Sequence, residues 1–81
     1  MIEYQPIPCV QHERLEFSVL RKIPLQIDYR HGLENISQAV MPLDVATRQG
    51  AEWLKFRVIG TEDVTEIRLD SIISFVEQLP A

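Results

Sequence analysis

Three side chains near the start of the chain, His12, Glu13 and Glu16, would fall within an arc of roughly 100° if this stretch were helical. An imidazole beside two carboxylates in that pattern reads first as a solvated charged helix face. A second set is Trp53, Lys55 and Arg57, an aromatic interleaved with two cations, which is the makeup of a base-stacking and phosphate-binding surface. A single Trp in a small domain also commonly packs beneath a neighbouring helix, so both readings of Trp53 stand.

Elsewhere the chemistry is sparse. Glu66 and Asp70 flank Arg68 at alternating positions and read as a solvated charge ladder. His12 and His31 lie far apart with no cysteine or aspartate at metal-ligand offsets, so both read as turn or surface histidines and no metal is expected. Cys9 stands alone, which leaves no intramolecular disulfide and no thiolate zinc site; it reads as a small buried hydrophobe. Ser71 and Ser74 lack a glycine elbow, and no glycine-rich phosphate loop is present. The expectation is a chain that is not an enzyme and uses no cofactor.

The elements that must position these residues follow from periodicity. In Ala51 to Ile59, Leu54, Phe56 and Val58 alternate with Trp53, Lys55 and Arg57, and Gly50 and Gly60 punctuate the ends. A two-residue period is that of a half-buried strand, here read as the central one. Leu15 and Val19, four apart, with helix-favouring Glu, Arg and Leu around them, predict a helix over 9–22 after an extended arm at 1–8 that holds Pro6 and Pro8. Pro24 ends it by forcing Ile23 out of helical geometry.

Ile23, Leu25, Ile27 and Tyr29 alternate as a strand, turned at Arg30 to Gly32. Ile36 and Val40 suggest an outer strand ended by Pro42, and Leu43 to Gly50 reads as a connecting loop. Thr65, Ile67 and Leu69 form a further strand that bends into Ser71 to Val76, with 77–81 as a tail. The architecture predicted is mainly β, with one N-terminal helix and a small antiparallel barrel over 23–76, because closure removes exposed edges.

With 81 residues, 46% of them apolar and 25% charged, the chain has the makeup of one globular domain that buries about 60 to 65% of its unfolded surface. Twelve acidic against eight basic side chains give a net charge of −4, which disfavours direct nucleic-acid binding and suits a basic protein partner. No apolar run approaches the roughly 20 residues of a membrane span, and the opening Met1 to Pro6 lacks the pattern of a signal peptide. A cytoplasmic protein, monomeric when free, is expected.

Several stretches together resemble one family. Tyr4-Gln5-Pro6-Ile7-x-Cys9, then Leu15-Glu16, Asp44-x-x-x-Arg48, Glu52-x-Leu54 and Arg68-Leu69-Asp70-x-Ile72-x-Ser74-Phe75, resemble, in order along nearly the whole chain, the Rof (YaeO) family of Rho-specific transcription antiterminators. The resemblance implies an Sm-like β-barrel preceded by a helix. It also implies inhibition of Rho-dependent termination, by binding the Rho hexamer at its primary RNA-binding region and blocking RNA engagement. On that pattern Glu13 and Glu16 are the acidic helix contacts, with His12 at a position usually aromatic, and Arg48, Gln49 and Gly50 form the contacting loop. Val10 and Gln11 stand where the family pattern has two aspartates. The alternative is an Sm-like RNA-binding module using Trp53, Lys55 and Arg57.

Overall fold

The computed structural model describes residues 6–78, as one helix and five strands in the order α1 (Cys9–Arg21), β1 (Leu25–His31), β2 (Glu34–Arg48), β3 (Ala51–Val58), β4 (Val64–Arg68) and β5 (Ile72–Glu77). A short 3-10 turn, Leu69–Ser71, joins the last two strands. The predicted arm at 1–8 is described only for 6–8; of the predicted tail at 77–81, Glu77 is instead the last residue of β5, paired with β1, and 79–81 lie outside the described residues.

Helix α1 begins directly after Pro8, whose carbonyl accepts the His12 amide at 3.1 Å. It ends one residue earlier than predicted. Lys22 takes the left-handed conformation (φ 56°), and the Ile23 amide reaches back to the Ser18 carbonyl at 2.9 Å, closing the last turn in the Schellman manner.

The sheet is antiparallel throughout, in the order β4-β3-β2-β1-β5. Two-residue loops connect its first three strands. Gln49 and Gly50 both have positive φ (51° and 76°), as a type I′ turn requires, while in Gly32–Leu33 only the glycine does (63°). The turn before β4 is held by Thr61, whose hydroxyl donates to the Val58 carbonyl at 2.9 Å and accepts the Asp63 amide at 3.0 Å.

Several expectations are corrected, beginning with Cys9, which is exposed at the start of α1 and not buried. Pro42 does not end a strand, and 43–50 is not a connecting loop, because β2 runs unbroken for 15 residues and carries the middle of the sheet. Glu34 to Val40 pair with β1, and Val40 to Arg48 pair with β3. Between them the register slips, with Pro42 opposite Phe56 and Asp44 opposite Lys55, so that Leu43 is an extra residue. A bulge of this kind bends the strand and tolerates a proline without an amide.

The segment Ala51 to Ile59, read as the central strand, forms β3 over Ala51–Val58, is flanked by β2 and β4 and lies second from an edge. Nor is the sheet a closed barrel: β4 and β5 are its hydrogen-bonded edges, and the chain passes between them covalently through Leu69–Ser71. The four steps from Arg68 to Ile72 span at most about 14 Å, so the sheet must curl to let the connection bridge its edges.

The curl encloses the core. Leu25, Ile27, Val40, Leu54, Phe56 and Leu69 have no exposed surface, and the helix contributes Leu15, also 0% exposed, to the same cluster. Complete burial of side chains this size contributes about 1.5–3 kcal/mol each before ordering costs. The Tyr29 ring meets Phe56 edge-on at 5.9 Å, and its hydroxyl lies 3.1 Å from the Gln38 side-chain oxygen. Val19 packs on the rim of this cluster.

Candidate functional site

The first turns of α1 come to lie against the β2–β3 hairpin, and His12 makes the connection. Its Nδ1 is 2.6 Å from Glu16 one turn along, and its Nε2 meets Glu52, the second residue of β3. The two carboxylates therefore approach opposite sides of the ring rather than a common point. Among the described residues no set of three His, Cys, Asp or Glu side chains is arranged to hold a metal ion.

Glu13 and Glu16 remain exposed. Glu13 has no ion-pair partner among the described residues, whereas Glu16 is engaged by His12. Together with Asp44 they border a groove of about 570 Å³ between α1 and β2, whose apolar lining is Phe17, Val19, Leu20 and Val45. Asp44 and Val45 take these places because of the bulge. Val40 and Pro42 face inward on even positions, and the extra Leu43 shifts the inward set to Val45, opposite Leu54.

The predicted partner residues are thus divided. His12, Glu13 and Glu16 lie together on α1, and the Glu52 contact brings them beside the hairpin whose tip is Gln49–Gly50. Arg48 is turned elsewhere. It is the last residue of β2 rather than a loop residue; its guanidinium carbon sits 5.0 Å from the Trp53 ring centroid, and it pairs with Glu66 on β4.

Trp53, Lys55 and Arg57 do share the sheet face opposite Leu54 and Phe56, as their alternation predicts. They do not form a free platform. Arg48 covers one face of the Trp53 ring, Lys55 stands in register with Asp44 and Glu66, and Arg57 donates to the Thr61 carbonyl at 3.1 Å. The Trp53 indole N–H is buried without a partner among the described residues. Stacking a base needs an open ring face, so this arrangement favours packing over recognition.

A second tie fixes α1 to the far edge of the sheet. Arg14 grips Glu77 of β5 with two hydrogen bonds, Nε to Oε2 at 2.8 Å and Nη2 to Oε1 at 2.6 Å, and its guanidinium lies 4.4 Å from the centroid of the Phe75 ring. The Arg14 hydrogen bonds hold the Glu77 carboxyl below its ordinary range, and Glu77 in turn raises Arg14. Burial pushes the Tyr29 hydroxyl up.

Sequence reasoning missed Asp44 and Val45, hidden by the bulge, and Glu52, which reaches the helix only through the fold. It also missed Phe17 and Leu20, though Val10, Phe17 and Leu20 at seven and three residues apart carried a legible second apolar stripe.

No protein-family model matches the chain, and no curated protein does. Among solved structures the chain is similar to proteasome accessory factor B/C (PafBC) of Arthrobacter aurescens, with a TM-score of 0.79 at 16% identity. The likeness covers 96% of this chain and 13% of that one. At this identity it shows the fold, a helix and a curled five-stranded antiparallel sheet shared with a small part of a larger protein.

Proposed function

We propose that the chain is a noncatalytic binding module that presents the acidic outer face of α1 to a basic protein surface. In this reading the partner is the primary RNA-binding region of the Rho hexamer, so that Rho-dependent termination is inhibited. The observation that carries the acidic-face part is the groove itself: Glu13, Glu16 and Asp44 border it, and among the described residues no cation lines it. The resemblance to the Rho-specific antiterminators names Rho. Carboxylates on a rigid helix would compete with RNA phosphates for the same basic groups, and the module would act in the cytoplasm as a monomer without cofactor or metal. RNA binding through Trp53, Lys55 and Arg57 is the weaker reading, because Arg48 already occupies the indole.

Calorimetric titration of purified Rho at two salt concentrations tests this. Glu13→Lys and Glu16→Lys should each weaken binding by about 1–3 kcal/mol, less at high salt, while Glu34→Lys in the distant β1–β2 hairpin should leave it unchanged. Equal affinities for the wild type and both helix variants, or no complex at low salt, would remove the reading.

A further inference from the structure

The outer face of α1 is apolar as well as acidic. At 100° per residue Val10, Phe17 and Leu20 span an arc of about 80° centred opposite Leu15, with Glu13 between them and Glu16 beside. Their exposures are 69, 52 and 77%, although a helix resting on one core needs only one apolar stripe. This second stripe leads into the groove, where Phe17, Leu20 and Val45 supply the apolar surface and Glu13, Glu16 and Asp44 the charge. The Arg21 guanidinium carbon lies 5.2 Å from the centroid of the Phe17 ring, so the chain's own cation covers one face of that ring and leaves its remaining surface to the groove.

We infer that this groove seats a basic amphipathic helix of another protein. Its apolar stripe would lie along Phe17, Leu20 and Val45, and flanking Lys or Arg side chains would pair with Glu13, Glu16 and Asp44. The groove runs beside a helix whose apolar residues recur at three- and seven-residue spacing, which is the spacing that a second helix offers in return. A second copy of this chain is a poor occupant. It would bring the same carboxylates face to face at a net charge of −4 each. The inference rests on the acidic face of α1 being the binding face, and not on Rho being what it binds.

Fluorescence anisotropy with a labelled Leu/Lys amphipathic helical peptide tests it on the full chain. Two control peptides accompany it, a Leu/Glu peptide of the same pattern and a scrambled Leu/Lys peptide of the same composition. The patterned Leu/Lys peptide should bind about tenfold or more tightly than either control. Phe17→Ser, Leu20→Ser and Glu13→Lys should each weaken it about fivefold or more, and Arg57→Ala, on the other sheet face, should not. Amide shift mapping on the wild type gives an answer independent of variant folding. Shifts at Leu20, Asp44 and Val45 support the groove; shifts centred on Trp53 and Lys55 overturn it.

Equal binding of the scrambled peptide, no binding, or a dimer abolished by Leu20→Ser would also overturn it. Rho affinity unchanged in Phe17→Ser and Leu20→Ser would sink the groove as Rho's seat while leaving the Rho reading intact. Peptide binding with no Rho complex would do the reverse.

Discussion

Replacing Glu77 by Gln keeps the side chain's shape but removes its charge and turns one of the two acceptor oxygens facing Arg14 into an amide donor. Two charge-assisted hydrogen bonds at 2.6 and 2.8 Å would each be worth about 1.5–3 kcal/mol if dry. The Arg14 side chain is 39% exposed, however, so solvent screening brings the expected loss to about 1 kcal/mol. Arg14→Met should cost more, because it also removes the guanidinium from the Phe75 ring, an interaction worth about 0.5–1 kcal/mol at an exposed site. Urea denaturation followed by circular dichroism reads both, with the midpoint moving and the slope constant.

The pH dependence has a definite sign. Arg14 holds Glu77 below its ordinary value of 4.5, so the folded state favours the carboxylate. The stabilisation is complete above 4.5 and is lost as pH falls through the lowered folded value. The gap between wild type and Glu77→Gln should therefore be flat from neutral pH down to about 5 and close in more acid solution. A variant as stable as the wild type at pH 7, or a gap that widens in acid, would refute the assignment of this clamp.

Leu15→Ala should destabilise by about 2–4 kcal/mol in the same denaturation assay, since the side chain is wholly buried where the helix meets the sheet. Gly50→Ala should cost about 1 kcal/mol by thermal melting, through backbone strain at φ 76°, because no atom of the described residues lies within 4 Å of the added Cβ. Arg48→Ala should shift the Trp53 emission to longer wavelength with a stability loss under about 1 kcal/mol, and an unchanged spectrum would mean that the guanidinium does not cover the ring in solution.

What the sequence made legible tracks how locally each feature is determined. Ala51–Val58 was readable because Leu54 and Phe56 point inward from an unbroken alternation, and α1 because Leu15 and Val19 lie one turn apart between two prolines. Residues 42–50 were misread for one physical reason. Leu43 is inserted against β3, and a single extra residue reverses the inward parity, so the period-2 signal cancels across Pro42 to Val45. The candidate site was half readable. Glu13 and Glu16 follow from helical spacing, but Asp44 depends on that bulge, and the engagement of Arg48 by Trp53 and Glu66 depends on the pairing of three strands.

The mode of docking of α1 follows from its contacts taken together. Leu15 anchors its middle in the core, Arg14 ties one side to β5, and His12 ties the other to Glu52 on β3. Anchors on both flanks and beneath fix the roll of a helix about its own axis, not only its position. That roll decides which residues meet solvent. With it fixed, Glu13, Phe17 and Leu20 are held outward beside Asp44 and Val45 instead of sampling the core. A partner that needs this pattern would find it preformed, and less conformational freedom would be lost on association. Loosening the roll from a distance should then weaken binding without touching a contact residue. Glu77→Gln, on the opposite side of the helix from the groove, is the variant that would reveal it, by a lower affinity for the Leu/Lys peptide at a temperature where the fold is intact.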